Sequence, residues 1–323
     1  MTIKQTQNPD QIFQIPLAID VYQGATKVRH QVWIKNAQET FTFDYTTKPD
    51  LINIDAEKVM LWDKTDNKTL DNLIFQYTHA GNYADRREAI VGSFRQLDKA
   101  PALALVKTGM RDRYEGLRNL TIERLDTANH DLMRAVEPIL LELAKNDKKS
   151  NVRANAMERL ADLKKSEYKD LFIANLKDSS YSVAGVALEG LVKLDSETGL
   201  AEAKKQMAQP AKGRLAVALM GTLMDFGSEN DFDFIAGKYG SQPLTQAKFE
   251  TTVRFASYLG DVKSTEKVKK GVDMIVSFRE SIPHQYRNQT DGPINQMILG
   301  ALMTRKQGDG LKDQAEYIKS KLP

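Results

Sequence analysis

The chain contains no cysteine, which excludes disulfide frameworks, thiolate zinc sites and cysteine nucleophiles together. Histidine is also scarce, with four residues in 323. None of them has a second histidine or a glutamate at the helical spacing of a metal site, and no H-E-x-x-H sequence occurs. We therefore expect no metal ion and no other cofactor in this chain, and we interpret the histidines as structural: His30, His79, His130 and His284.

Long apolar runs are lacking as well. The longest ones are much shorter than a membrane-spanning helix, so we expect no membrane span. The N-terminal MTIKQTQNPDQIF has no apolar core of the kind that a signal peptide needs, so any export signal would lie outside this chain. The absence of cysteine is compatible with an exported or a cytosolic location, and the compartment stays open.

No excess of one charge is present, since 46 basic residues stand against 43 acidic ones and give a formal net charge of +3. Phosphate binding needs a concentrated basic face, so nucleic acid is not an expected partner. A composition of 41% hydrophobic and 28% charged residues is ordinary for a globular protein. The length is sufficient for two domains with proper cores.

Catalytic motifs are missing too. Neither a G-x-S-x-G elbow nor a G-x-x-x-x-G-K-[ST] loop occurs. The triplet DFG at 225–227 is not accompanied by any other kinase motif, and Asp225, Asp231 and Asp233 are interpreted as helix-capping residues. We predict no catalytic residues in this chain.

Alternating apolar residues characterise the first 62 positions, with one set beginning at Phe13, another at Val28 and a third at Phe41. A period of two places each set on one face of a strand, and the polar connections at 22–27 and 35–40 favour consecutive antiparallel strands. TIKQTQ at 2–7 reads as a strand without its neighbour. KPDLINIDAEKVML at 48–61 reads as the seam where strands end, because the period of two disappears after Leu61.

From about Thr69 onward the pattern is helical and repeats. The clearest copies are SNVRANAMERLADL at 150–163 and SYSVAGVALEGLVKL at 180–194. Three apolar positions recur with a displacement of 31: Val152 with Val183, Ala156 with Ala187, and Leu160 with Leu191. Repeated helical units of this kind indicate stacked helix pairs.

Two further copies extend the pattern. KGRLAVALMGTL at 212–223 places Val217 and Gly221 about one period on, and DRREAIVGSF at 85–94 has Arg86 and Ala89 at the spacing of Arg153 and Ala156. The pattern resembles HEAT repeats, with a shorter period. We predict a mainly α chain, with a HEAT-like α–α superhelix (solenoid) over 66–323 after a small, incomplete antiparallel β-sandwich domain over 1–65. A plain helical bundle is the alternative.

The first 62 residues resemble the strand-rich domain that follows the catalytic domain in zinc aminopeptidases of the aminopeptidase N type (gluzincin metallopeptidases). The likeness lies in the order and spacing of a Q-x-Q phrase, an apolar-Pro-Leu strand, a tryptophan strand and a K-P phrase that ends in aspartate. The residues that carry it are Gln5, Gln7, Pro16, Leu17, Trp33, Pro49 and Asp55. A helical superhelix follows this domain in the family too.

The family's catalytic domain, with H-E-x-x-H, a downstream glutamate ligand and G-A-M-E-N, has no counterpart here. The resemblance implies a non-catalytic C-terminal segment of a larger metallopeptidase that removes N-terminal residues with zinc-activated water. Zinc is then expected only in the missing catalytic domain. The implied partners are that domain and the peptide substrate of the intact enzyme, whose cavity this segment would enclose. The alternative is an autonomous helical-repeat scaffold for protein–protein interaction.

SIPHQYRNQTDGP at 281–293 is predicted to be a loop that interrupts the helical pattern, because prolines restrict the backbone at 283 and 293. In the intact enzyme we expect Tyr286 and Arg287 to face the catalytic domain and to contact either the C-terminal carboxylate of the peptide or the domain interface. The alternative assigns Arg287 to a helix end or a nearby acid, and Tyr286 to packing on the adjoining repeat.

Overall fold

The computed structural model describes residues 1–8 and 10–323. The chain is mainly helical, with a small antiparallel sheet region at the N-terminus, as predicted. Its contacts divide it into two compact units, Met1–Ile139 and Leu140–Pro323. The sheets thus share their unit with the first helices. The domain boundary between residues 65 and 66 stays a prediction about independent folding.

The described residues of the first unit contain five strands: β1 Thr2–Lys4, β2 Ile15–Gln23, β3 Thr26–Ile34, β4 Gln38–Thr40 and β5 Leu51–Ile54. One sheet has the antiparallel order β3-β2-β5, and β1 pairs with β4 in a second sheet of two strands. The β2–β3 connection is the predicted hairpin, and Gly24 at its turn has a φ of 57°, which glycine adopts without strain. Leu17, Ile19, Val21 and Ile34 form a buried cluster in this region.

Three strand predictions need correction. TIKQTQ does not lack a partner, because Ile3 pairs with Glu39. The apolar set that begins at Phe41 is not a strand; residues 41–45 pack against the β2 cluster without joining a sheet. The alternation also does not end at Leu61, since inward and outward side chains continue to alternate as far as Thr69.

The helices of the first unit follow directly: α1 Leu70–His79, α2 Tyr83–Ser93, α3 Ala100–Gly109 and α4 Glu115–Glu123. Thr69 begins α1 with a capping box, in which its hydroxyl accepts from the backbone of Asn72 and the Asn72 side chain accepts from the backbone of Thr69. Buried Leu73, Ala89 and Leu105 join α1, α2 and α3.

Helix α5, His130–Asn146, includes the position at which the two units divide. The second unit continues with α6 Ser150–Asp162, α7 Lys169–Asn175, α8 Tyr181–Leu194, α9 Ser196–Gln206, α10 Gly213–Phe226, α11 Phe232–Gly240, α12 Gln246–Asp261, α13 Thr265–Ser281, α14 His284–Gly292, a π-helix Pro293–Gly300, α15 Ala301–Gly308 and α16 Lys312–Lys319.

Helices α6, α8 and α10 pack side by side. The six residues that the displacement of 31 pairs between α6 and α8 are all fully buried. The third copy was placed in the wrong register, because Val217 is 45% exposed whereas Leu215, Leu219 and Leu223 are buried. The matching displacement from α8 to α10 is therefore one residue longer than the one from α6 to α8.

The predicted loop at 281–293 is mostly helical. Pro283 lies just before α14, where a missing N–H costs nothing, and Pro293 opens the π-helix. The polar composition of α14 matches its position, since none of its residues is buried. The sequence rule that two prolines bound a loop was wrong here, because Pro283 immediately precedes α14 and Pro293 lies where α14 continues into the π-helix.

Candidate functional site

Arg287 and Tyr286 lie on α14 near its N-terminus. The Arg287 guanidinium donates from Nε to the carbonyl oxygen of Ile282 at 3.1 Å and from Nη2 to that of Glu280 at 2.9 Å. These carbonyls end α13, so Arg287 caps a helix C-terminus, which is the alternative role considered from the sequence. Tyr286 is 50% exposed. The role of both residues toward a catalytic domain stays a prediction.

The π-helix that follows α14 is fixed by a second arginine. Arg279 on α13 donates to the side-chain oxygen of Asn295 and, at 3.2 Å, to the carbonyl oxygen of Lys321. Ile294 and Ile298 on the same segment are buried, whereas Met297 is largely exposed. Segments of π-helix occur often at functional positions, so α14 and the π-helix together form the exposed surface that we consider as the candidate site.

A repeated arginine–aspartate connection was missed by the sequence analysis. In the first unit, Arg86, the fourth residue of α2, donates from Nε to Asp112 Oδ2 at 2.9 Å. Asp112 precedes α4 and also accepts from Tyr77 Oη at 2.7 Å and from the Tyr114 backbone N–H at 2.8 Å. Burial raises the pKa of Asp112, but these hydrogen bonds outweigh it and leave the pKa below its ordinary value.

The second unit contains the same connection. Arg153, the fourth residue of α6, donates from Nη2 to both oxygens of Asp178, at 2.9 and 3.1 Å. Asp178 precedes α8 and accepts from the Ser180 backbone N–H at 2.8 Å. The two arginines were recognised as equivalent from spacing; the signal that was not used is an aspartate about 25 residues after each of them.

A row of ion pairs connects neighbouring helices across one surface of the second unit. Arg214 on α10 contacts Glu189 on α8 at 2.7 Å and Glu158 on α6 at 2.8 Å. Arg254 on α12 pairs with Asp225 on α10. Two arginines thus pair with three acidic side chains. Because all of these side chains are partly exposed, the row adds little net stability.

Two of the histidines make well-defined structural contacts. The His30 Nε2 lies 2.7 Å from Tyr45 Oη, and its ring stacks on Phe43. His79 stacks on Phe75, and its Nδ1 lies 3.1 Å from the Phe75 carbonyl oxygen. Both histidines thus interact within their own region of the fold.

Among residues 1–8 and 10–323, no group of three His, Asp or Glu side chains is arranged to hold a metal ion. This part of the chain therefore does not fit the zinc ligand set that the family resemblance implies for a catalytic domain. In the same residues, no helix has both the length and the apolar character needed to cross a membrane.

No family model and no curated protein matches the sequence. Among solved structures, aminopeptidase A of Legionella pneumophila in complex with aspartic acid is similar, with a TM-score of 0.51 and 12% sequence identity. The match covers 99% of this chain and 47% of that one, so the chain spans about half the length of that protein. At this identity the likeness shows an aminopeptidase-related fold alone.

Proposed function

We propose that this chain is a non-catalytic C-terminal segment of a zinc aminopeptidase, which shapes and encloses the peptide-binding cavity of the intact enzyme. The observation that carries the proposal is the fold likeness, which extends over nearly the whole chain but less than half of the aminopeptidase. It agrees with the strand-region resemblance in residues 1–62. The zinc, the catalytic base and the reaction belong to a domain outside this chain.

In that enzyme the chain contributes surface rather than chemistry. Helix α14 has no buried residue, so it is available to a neighbouring domain. Arg287 is held by two carbonyl oxygens, and the remaining N–H groups of its guanidinium have no partner among the described residues. A pre-oriented guanidinium of this kind suits a carboxylate, which makes Arg287, with Tyr286 beside it, our candidate contact to peptide or domain interface.

An autonomous helical-repeat scaffold is the second candidate. It is favoured by the stacked helices α6, α8 and α10 and by the row of partly exposed ion pairs on them. Such a scaffold would bind a protein along the row without any catalytic domain.

The two candidates differ in genetic context. The proposal expects an in-frame H-E-x-x-H in the coding DNA immediately upstream, or a separately encoded zinc domain that co-purifies with this chain. If neither exists, the scaffold is the better assignment. The chain by itself should not hydrolyse aminoacyl substrates; stoichiometric zinc retained after dialysis, with hydrolysis that a chelator abolishes, would overturn the proposal.

The contact residue is tested in the intact enzyme by Arg287→Ala. Loss of a carboxylate contact should lower kcat/KM for free peptides. The corresponding loss of transition-state stabilisation should be about 1.5–3 kcal/mol, the size of a hydrogen bond to a charged group. Substrates with a blocked C-terminus should be unaffected. A lower melting temperature with equal kinetics on both substrates would leave Arg287 only its capping role, and Lys312→Ala, an exposed change on α16, is the matched control.

A further inference from the structure

Residues 57–69, the connecting segment, lead from β5 to α1 without joining either sheet. The chain turns at Glu57 and Lys58, where the φ of Lys58 is 54°, and it bends at Trp62; residues 63–69 contain no further turn or bend. Their burial alternates strictly along the chain. The inward side chains are Lys58, Met60, Trp62, Lys64, Asp66 and Lys68, and each residue between them is exposed. Beyond the bend at Trp62, this strict period of two indicates a strand-like backbone over residues 63–68, with one side against the protein.

The backbone of this segment is unpaired. The N–H groups of residues 61–68 have no hydrogen-bond acceptor within residues 1–8 and 10–323, and neither do their carbonyl oxygens have a donor there. By contrast, β2 has a strand on both sides. Extended backbone with free donors and acceptors is the edge to which another strand can be added.

Buried lysines hold the connecting segment in place. Lys58 Nζ lies 2.9 Å from Asp85 on α2, and Lys64 and Lys68 lie 3.3 and 3.2 Å from Glu88 on the same helix. Because all three lysine side chains are largely buried, the segment is fixed before any partner arrives. An added strand would therefore lose less conformational entropy on binding than one that meets a flexible loop.

A cleft of about 250 Å³ borders the segment and is lined by residues of α1 and α2 as well. Two acids in it, Asp66 and Glu88, are already paired with Lys64 and Lys68. Arg87 and Arg95 also line it, and neither has an ion-pair or hydrogen-bond partner among the described residues. The cleft thus carries uncompensated positive charge beside an open strand edge.

We propose that the connecting segment is a binding site for an extended acidic polypeptide, which adds as a β-strand along residues 63–68 and places carboxylates against Arg87 and Arg95. The proposal is independent of the aminopeptidase proposal, since it rests on the first unit alone.

The binding test uses the full chain and fluorescent peptides of about eight residues, the usual length of a strand. A peptide that alternates valine with glutamate should bind about tenfold more tightly, at low salt, than the same peptide with glutamine, as two exposed ion pairs allow. Only alternate peptide amides face the segment, so N-methylation of either the odd-numbered or the even-numbered amides should abolish binding, and N-methylation of the other set should leave it unchanged. Equal binding by the two methylated peptides, or by the glutamate and glutamine peptides, would overturn the proposal.

Two further measurements separate strand addition from general attraction to anions. In hydrogen exchange, the amides of residues 63–68 should exchange rapidly in the free chain, and every second one of them, on the edge that faces the added strand, should exchange slowly in the complex. Unchanged exchange would contradict pairing. Arg87→Glu with Arg95→Glu should remove the preference for glutamate, whereas Arg124→Glu with Lys312→Glu, exposed elsewhere, should not. If a single-stranded oligonucleotide competes as well as the acidic peptide, binding is non-specific attraction between charges and the proposal is wrong.

Discussion

The two units bury charge to different extents. In the first, Asp20, Asp55, Asp85, Arg86 and Asp112 are buried among the described residues, and they join strands, connecting segment and helices. In the second unit, the buried charged residues among those described are Asp231 and Lys306. The strands, connecting segment and helices of the first unit have no common packing surface, and polar side chains join them. Helices α6, α8 and α10 of the second unit instead pack through buried apolar side chains.

Lys306 shows how the second unit uses its buried cation. Its Nζ donates to the carbonyl oxygens of Gly260 and Val262, at 3.0 and 2.5 Å, and so caps the end of α12. Burial lowers the pKa of Lys306 to about 8. The cation completes a helix end in a unit that is otherwise held together by apolar packing.

The largest difference is expected between Asp112→Ala and Asp178→Ala, which break the same connection in the two units. The side chains of Arg86 and Asp112 are 9% and 2% exposed, against 18% and 15% for Arg153 and Asp178. Removing Asp112 leaves the buried Arg86 guanidinium without an ion-pair partner and should cost about 3–5 kcal/mol. Removing Asp178 should cost about 1–2 kcal/mol, because water reaches its arginine.

Urea unfolding followed by circular dichroism measures both changes. Adding Arg86→Leu to Asp112→Ala should restore part of the lost stability, since no charge then remains buried. Equal losses for the two single variants would show that burial does not distinguish the connections.

Apolar packing in the second unit is tested next. Leu219→Ala on α10 empties a fully buried position and should cost about 3 kcal/mol. Val217→Ala, two residues away on the exposed face, should change stability by less than about 0.5 kcal/mol. Thermal or urea unfolding measures both changes. A larger loss of stability for Val217→Ala than for Leu219→Ala would support the register predicted from the sequence.

Close approach of α8 and α10 gives a smaller effect. A Cβ at Gly185 would lie 2.7 Å from the backbone carbon of Arg214 and 2.8 Å from the nitrogen of Leu215. Gly185→Ala must therefore separate the helices and should cost about 2 kcal/mol. Gly237→Ala on α11, which has no atom within 4 Å of its Cβ, is the matched control and should stabilise by about 0.5–1 kcal/mol through helix propensity.

The smallest effect concerns pH in the first unit. Burial raises the pKa of Glu88, but Lys68, Lys64 and Lys58 outweigh it and lower the pKa to about 2 from an ordinary value of 4.5. A depressed folded-state pKa contributes stability that is present above about pH 4.5 and is lost as the pH falls toward 2. Glu88→Gln should reduce the loss between pH 5 and 2 by about 1–2 kcal/mol.

The control for that change is Glu316→Gln on α16, whose side chain is exposed. Acid unfolding of this variant should follow that of the unchanged chain. If Glu88→Gln also follows it, the lysines on the connecting segment do not stabilise the first unit through Glu88.

The local sequence pattern predicted those elements whose structure depends mainly on residues close together in the sequence. The β2–β3 hairpin and the buried positions of α6 and α8 follow from alternation, a turn glycine and helical spacing. The partner of β1 was missed because pairing with β4 joins residues about 36 apart and leaves no local trace. The connecting segment was missed because its inward side chains include lysines, which an apolar period does not count.

The candidate site was predicted less well for a related reason. Proline was read as a helix breaker at 283 and 293, yet its effect depends on where it falls within a helix turn, which neighbouring helices decide. Arg287 was singled out by its chemistry, but only the fold shows that α13 ends within its reach.

The π-helix at Pro293–Gly300 lies between α14 and α15 in one uninterrupted helical run from 284 to 308. A π-helix accommodates one residue more per bulge than an α-helix, and each residue of an α-helix turns the chain by about 100°. Deleting one residue there would let the run become a regular α-helix while α14 turned by that angle about its axis. Loss of one residue from the π-helix would thus redirect Tyr286, and the surface around it, without altering any of the residues on α14.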